Sequence, residues 1–204
     1  MLAAVALVVI RGDRSNPGPP PNPRPVVVLM DSPLPGRVYD RATFAAGGSN
    51  ADDITDALQD LKISVRKETT NAAWHREEQV VRQNPDLIIA HLSCLLDARV
   101  AEPEGGHGPV WEHMFAVAES RLLLVFGYVG AMNPRTRFLV YSRGRFDDPA
   151  AAAAFVSEAE ARLPALRGRL RTLHVPGGDN HATFRDPATA QLIRERVQAI
   201  LKLE

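Results

Sequence analysis

Residues 86–92 read DLIIAHL, a short and nearly continuous apolar run that begins directly after Asn84-Pro85. A run of this length without polar alternation is typical of a strand buried on both faces. Strands of this kind occur in parallel sheets, whose two faces are covered by crossover helices. The run therefore predicts an α/β fold.

The segments around this strand alternate between helix and strand patterns. Upstream, residues 72–83 are helical in composition and stop at Asn84-Pro85, because a proline disfavours helix in the residue before it. Downstream, residues 109–128 form a long apolar stretch that starts with a proline at a favoured first helical position. Further strands are predicted at residues 26–30 (VVVLM), 63–67 (ISVRK, nearer an edge), 137–141 (RFLVY) and 170–175 (LRTLHV).

Three more helices complete the alternation. Two begin at Asp148-Pro149 and Asp186-Pro187, where a capping carboxylate precedes a residue already bent for a helix, and they run to about residues 163 and 203. The other can be capped by Ser49 or Asn50 and has apolar residues at helical spacing: Ile54, Ala57, Leu58 and Leu61. Five strands alternating with five helices predict one three-layer domain over residues 26–204, with a parallel sheet covered on both faces.

Composition narrows the function classes. With 204 residues, 45% of them hydrophobic, the chain can bury one sizeable core. Lys+Arg and Asp+Glu number 24 each, so a clustered basic surface for nucleic acid is not predicted. Neither a metal nor a cofactor is predicted, because His107 and His113 match no zinc spacing and Gly47-Gly48 lacks the pattern of a nucleotide-binding loop.

Cys94 is the only cysteine, which excludes an intrachain disulfide. Its neighbour His91 raises the question of a thiol nucleophile. Residues three apart on a strand point to opposite faces, so we expect Cys94 to be a buried structural residue.

The N-terminal segment differs from the rest of the chain. Residues 2–10 (LAAVALVVI) form an apolar run too short to span a bilayer, which needs about 20 residues, but long enough for the core of a signal peptide. Residues 12–25 contain six prolines and predict an extended, semi-rigid tether. We expect an exported, periplasmic or membrane-tethered domain, with residues 1–11 as a signal or anchor remnant. A packed hydrophobic tail in a cytoplasmic protein is the alternative.

Candidate site residues follow the strands, because ligands of open α/β sheets bind beyond the carboxyl ends of the strands. Ser32 follows the first strand, Ser93 the third and Arg143 the fourth; Asp179 and His181 lie in the segment after the fifth. A hydroxyl, an imidazole and a carboxylate are the parts of a nucleophilic hydrolase. The alternative is that Ser32 and Asp179 are ordinary turn formers.

Three stretches resemble the motifs of the SGNH, or GDSL-type, hydrolases, which are esterases and lipases on a flavodoxin-like sheet. Residues 26–33 (VVVLMDSP) are similar to the nucleophile motif, and residues 45–54 (AAGGSNADDI) to the glycine motif of the oxyanion hole. Residues 177–197 (GGDNHATFRDPATAQLIRERV) are similar to the Asp-x-x-His motif before the last helix. The resemblance covers roughly residues 26–204.

The resemblance implies a role for each matching residue. Ser32 would be the nucleophile, His181 the general base, and Asp179 the residue that orients the imidazole. The backbone amides of Gly48 and Ser32 would hold the oxyanion. The fold that it implies is a doubly wound, flavodoxin-like sheet of five parallel strands.

The chain departs from the family pattern in three places. Met30 stands where glycine is usual, and Asp179 lies two residues before His181 rather than three. Ser93, Cys94 and Leu95 occupy the place of the asparagine motif that supplies a side-chain amide to the oxyanion hole. Loss of one oxyanion donor costs roughly 10²–10³ in rate in a well-studied serine protease. We therefore expect a divergent member, with Asn50 and Ser93 as the polar residues beside the oxyanion position.

Two function classes remain open. One is a serine esterase or acyl hydrolase that acts on a small ester or an acylated envelope polymer, and a transferase on acylated polysaccharide would use the same site. The other is a non-catalytic domain that binds a small solute or part of the envelope. For that second class, Arg37 and Arg143 are the candidates to clamp an anionic group.

Overall fold

A computed structural model describes residues 23–30, 50–68, 77–92, 94–95, 109–142, 145–176 and 183–203. Within these ranges five strands and five α-helices alternate along the chain. The strands are β1 (Val26–Met30), β2 (Ser64–Lys67), β3 (Leu87–His91), β4 (Arg137–Ser142) and β5 (Leu170–His174). The helices are α1 (Asn50–Ala57), α2 (Glu77–Arg82), α3 (Pro109–Met132), α4 (Pro149–Arg162) and α5 (Pro187–Leu201), and two single 3₁₀ turns lie at Pro164–Leu166 and Thr183–Arg185.

The strands form one parallel sheet in the order β2-β1-β3-β4-β5. This is the order of flavodoxin-like doubly wound sheets. β2 lies at an edge and is partly exposed, in agreement with its alternating pattern. The predicted fold class, a three-layer α/β domain with five parallel strands, is confirmed.

Each central strand sends its side chains alternately into two cores, as the pleat requires. In β1, Val28 and Met30 pack in the cluster that contains buried residues of α2, α3 and α4. Val27 and Leu29 pack in the other cluster, with α1 and α5. All five residues of β1 are buried, which explains why its sequence is apolar at every position.

Both Asp-Pro pairs begin helices as the sequence predicts. Oδ1 of Asp148 accepts a hydrogen bond from the backbone N–H of Ala150 at 2.9 Å. Oδ2 of Asp186 accepts from the backbone N–H and from the hydroxyl of Thr189, each at 2.9 Å. These bonds satisfy donors that the first turn of a helix leaves without partners.

The third helix ends at Met132, beyond the predicted end near residue 128. Gly127 and Gly130 resemble stop signals in the sequence, yet both lie inside α3. A β-carbon on Gly130 would lie 3.1 Å from the carbonyl oxygen of Ala165, so close packing explains that glycine. The helix stops where Pro134 disfavours its continuation.

α3 is long and apolar enough to cross a membrane, judged by length and composition alone, over Glu112–Met132. Its position explains this composition, because Leu122, Phe126 and Val129 are fully buried against the sheet. The ring of Phe126 lies 4.6 Å from that of Phe138 in β4. α3 is therefore a core helix of the domain. Residues 1–22, which include the apolar N-terminal run and most of the proline-rich tether, lie outside the described residues, and their roles stay predictions.

Candidate active site

The loops that carry the predicted site all leave the sheet at its carboxyl edge. At this edge Met30 pairs with Ala90, and His91 pairs with Tyr141. Ser142 pairs with His174 one strand further on. The ends of β1, β3, β4 and β5 are thus neighbours, as ligand sites of this sheet type require.

Most of the predicted site residues themselves lie outside the described residues: Ser32, Arg37, Gly48, Ser93, Arg143, Asp179 and His181. Asn50 is the first residue of α1. A contact between Ser32 and His181 therefore stays a prediction. The described residues that flank these loops determine what can be said of the site.

An ion pair between a buried carboxylate and an exposed guanidinium connects residues that follow two of the predicted site segments. Nε of Arg185 lies 3.2 Å from Oδ1 of Asp53, whose side chain is 6% exposed. Asp53 is in the first turn of α1, directly after residues 31–49, and Arg185 is in the 3₁₀ turn that follows residues 177–182. The segment that contains Gly48 and the segment that contains His181 therefore end at adjacent points.

The electrostatic environment of Asp53 is unfavourable. Burial raises the pKa of its carboxyl group, and the Arg185 guanidinium offsets this only in part. Among the described residues, its second oxygen, Oδ2, is buried without a hydrogen-bond partner. A buried carboxylate with an unsatisfied oxygen is costly, and such groups are concentrated at functional sites.

Phe184 and Val175 anchor the two ends of the segment that contains His181. Both side chains are buried, at 3% and 1% exposure. The ring of Phe184 lies edge-on to Tyr141 of β4, with 5.2 Å between centroids, and Tyr141 lies 5.2 Å from the ring of His91. The described residues on the two sides of this segment therefore pack against β4 and the end of β5.

The N-terminal half of α3 flanks this edge. A 24-residue helix is about 36 Å long, roughly twice the length of a five-residue strand. Ala118, Met114 and Phe115 form a small apolar cluster, separate from the core that begins at Leu122. In this small cluster Ala118 is buried, and Met114 and Phe115 are partly buried against it.

A polar contact links α3 to the loop after β4. Nε of Arg145, three residues after the end of β4, lies 4.0 Å from Oε2 of Glu119. Burial raises the pKa of Glu119, and Arg145 opposes this shift.

Two strand-end imidazoles were not selected by the sequence analysis as site residues. His91 ends β3 and packs against Tyr141. Cys94 is buried in the core on the α3 side as predicted, but it lies in the turn after β3 and not on the strand itself. His174 ends β5, and its Nδ1 is buried with no hydrogen-bond partner in the described part of the chain. Their position at strand ends was the signal that could have identified them.

The comparisons with known proteins give only distant matches. No protein-family model and no curated protein matches the chain. A carbohydrate esterase whose active site "displays divergent catalytic and non-catalytic binding functions" aligns with a TM-score of 0.48 and 14% identity, over 88% of this chain and 69% of that one. A family two carbohydrate esterase from Cellvibrio japonicus aligns with a TM-score of 0.47 and 16% identity, over 90% of this chain and 63% of that one. The chain thus spans about two thirds of each structure, and similarity at this level carries no argument about its activity.

Proposed function

We propose that this protein is a serine ester hydrolase of divergent SGNH type. Ser32 is the nucleophile, His181 the general base and Asp179 the residue that orients the imidazole. The observation that carries the proposal is the pair of Asp53 with Arg185. This pair joins the end of the segment that begins beside Ser32 to the end of the segment that contains His181.

The reach of the chain supports a contact between Ser32 and His181. The Cα of Ser32 lies within about 7 Å of that of Met30, two residues earlier, and the Cα of His181 lies within about 11 Å of that of Phe184. β1 and β4 are about 10 Å apart, with β3 between them. Since Phe184 packs on Tyr141 of β4, both loops can bring their side chains to the space above β3.

The proposed reaction proceeds through an acyl-enzyme. Ser32 Oγ attacks the ester carbonyl carbon while His181 takes its proton, and the backbone amides of Ser32 and Gly48 stabilise the oxyanion. The C–O bond then breaks, and His181 returns the proton to the leaving alcohol. A water molecule, deprotonated by His181, then attacks the acyl carbon; the bond to Ser32 Oγ breaks, and His181 returns the proton to Ser32 as the acid leaves. Asn50 and Ser93 provide the further polar groups beside the oxyanion.

The proposed substrate class rests on the resemblance of the sequence motifs to those of esterases and lipases. We propose a small ester or an acylated envelope polymer as the substrate. Transfer of the acyl group to a polysaccharide hydroxyl would use the same residues.

The direct test is turnover of short acyl esters of 4-nitrophenol by the purified protein. We expect the wild-type chain to hydrolyse them and Ser32→Ala to fall to background with an unchanged circular dichroism spectrum and melting temperature. Ser157→Ala, which removes an exposed serine from α4, is the matched control and should retain full activity. Equal activity in Ser32→Ala and wild type would refute the assignment.

A non-catalytic solute-binding domain is the second candidate. The absence of an asparagine at residues 93–95 favours it, because one oxyanion donor of the family pattern is missing. In this case Arg37 and Arg143 hold an anionic part of the ligand. A solute that raises the melting temperature without being converted would support this candidate.

We also propose that the domain is exported or membrane-tethered, on the basis of the apolar run at residues 2–10 and the prolines that follow it. A fusion of residues 1–25 to a reporter that is active only outside the cytoplasm tests this. An inactive reporter would indicate a cytoplasmic protein.

A further inference from the structure

A cleft lies at the amino edge of the sheet, opposite the edge that carries the proposed ester site. Its volume is about 720 Å³, within the range of small-molecule sites. It is lined by the starts of β4 and β5, the turn before β4 and the end of α5. Six of its lining residues are cationic: Arg135, Arg137, Arg169, Arg171, Arg196 and Lys202.

The register of the sheet explains why several of these side chains meet. Arg171 pairs with Leu139, so it lies beside Arg137 on the sheet face that α5 covers. On α5, Arg196 precedes Ile200 by four residues, so the two lie on one face of the helix. Arg137 donates to the carbonyl oxygen of Ile200, which brings the end of α5 against the start of β4.

Like Arg137, Arg169 has a structural role. Arg169 donates to the carbonyl oxygens of Gly130, Asn133, Thr136 and Ala165. These carbonyls lie at the end of α3, in the turn before β4 and in the adjacent 3₁₀ turn, and burial lowers the pKa of this guanidinium. Arg169 is therefore fully used in holding these segments together.

The other cations are not neutralised by the protein. Within the described ranges, no ion pair involves Arg135, Arg171, Arg196 or Lys202, and Nε of Arg135 is buried without a hydrogen-bond partner. Asp86 is the one carboxylate among the lining residues. Its Oδ2 accepts from the backbone N–H of Val26 at 2.8 Å. Because the whole chain has zero formal charge, this is a local concentration of positive charge.

Helix ends explain part of this concentration but not all of it. The carboxyl ends of α3 and α5 lie at this edge, and cations are favourable there. The favourable interaction with a helix end accounts for one or two cationic side chains near the last turn of each helix. It does not explain Arg171, which is an exposed residue of a strand.

We propose that this cleft binds a small molecule that carries a phosphate or diphosphate, held by Arg135, Arg171, Arg196 and Lys202. Guanidinium groups match the oxygen geometry of phosphate through paired N–H donors. A phosphate ester carries a charge of about −1.5 to −2 near neutral pH, so it neutralises several of these cations, whereas a single carboxylate does not. The cleft lies at the amino edge of the sheet, whereas β1 ends with Met30 at the carboxyl edge, so this site is independent of the proposed esterase site.

Calorimetric titration of the full chain with inorganic pyrophosphate, at constant ionic strength, tests the site. We expect saturable binding that the double variant Arg171→Gln/Arg196→Gln weakens about tenfold or more, since it removes two charge-assisted donors. The matched control is Arg66→Gln/Arg82→Gln, which loses the same charge from exposed positions on β2 and α2. It should change the dissociation constant less than about twofold.

Three outcomes overturn the proposal. If pyrophosphate shows no saturable binding, the cleft is not a phosphate-binding site. Equal weakening in the two double variants identifies the binding as nonspecific attraction. If citrate binds more tightly than pyrophosphate, the cleft is a site for carboxylates and not for phosphates. If the Arg171→Gln/Arg196→Gln protein does not fold, Arg196→Gln alone, on the exposed side of α5, is compared with Arg66→Gln by the same criteria.

Discussion

Asp53 is the residue whose burial most directly links the fold to the proposed chemistry. Its carboxyl has a raised pKa because burial disfavours the charged form more than Arg185 stabilises it. With a folded pKa above the ordinary 3.8, the contribution of this group to stability is fully present below that value and is lost as the pH rises through the folded pKa. At neutral pH the charged carboxyl therefore lowers the free energy of unfolding, and a positional role accounts for its presence.

The substitution Asp53→Asn tests this interpretation. The neutral amide avoids the burial cost, so we expect the free energy of unfolding at pH 7 to equal or exceed that of the wild type, and the advantage to shrink on acidification to about pH 4. Ester turnover should fall, because Arg185 loses its charged partner. Urea unfolding at both pH values and an esterase assay provide the measurements.

Asp60→Asn is the control for that experiment, since Asp60 is exposed and pairs with Arg194 away from the site. It should leave turnover unchanged. A large loss of stability in Asp53→Asn at pH 7 would contradict the sign derived for Asp53.

Asp186 shows the opposite behaviour. The backbone N–H of Thr189 lowers the pKa of this carboxyl by bonding to its charged form. Its stabilising contribution is therefore present above the ordinary pKa of 3.8 and is lost as the pH falls through the folded value. The same oxygen caps α5, so the residue stabilises the helix that follows the His181 segment.

We expect Asp186→Ala to lower the melting temperature at neutral pH. Under acidic conditions the melting temperatures of the variant and the wild type should become similar. Asp186→Asn keeps a side-chain acceptor for the first turn of α5, so its melting temperature should fall less than that of Asp186→Ala. Thermal unfolding followed by circular dichroism at several pH values provides the comparison. A loss in Asp186→Ala that does not change with pH would be inconsistent with a role for the charge.

The secondary-structure elements differ in how far their sequences determine them. The buried strands and the Asp-Pro helix starts could be predicted, because a run such as VVVLM or an Asp before a Pro is a local signal with one main structural meaning. The continuation of α3 through Gly130 could not be predicted, because the packing that requires this glycine involves Ala165, which is distant in sequence.

The candidate site shows the same division. Its edge of the sheet follows from the order of strands and helices alone. The pair of Asp53 with Arg185 joins residues 132 positions apart, and no local pattern marks either partner. The cationic cleft was also missed, because the net charge of the chain hides a local excess that only the sheet register assembles.

At the scale of the whole molecule, the burial of individual α3 side chains shows whether this apolar helix packs in the core of the domain or could span a membrane. Phe126 is fully buried against Phe138, whereas Leu124 is 45% exposed. We expect Phe126→Ala to lower the free energy of unfolding by about 3–5 kcal/mol. Leu124→Ala, on the same helix, should change it by about 0.5 kcal/mol or less.

Urea unfolding of the two variants without detergent measures this difference. Similar effects of the two substitutions would show that α3 does not pack on the sheet as described. The two edges of the same sheet carry different chemistry: the carboxyl edge holds the proposed ester site, and the amino edge holds the cationic cleft.

The most direct test of the central claim is reaction of the native protein with an organophosphonate ester, followed by peptide mapping of the label. A serine activated by an imidazole should be labelled at Ser32, and both Ser32→Ala and His181→Ala should abolish the labelling while the fold remains intact. Label on another residue, or labelling of Ser32 that persists in His181→Ala, would contradict the proposal that the two loops meet above the carboxyl edge of the sheet.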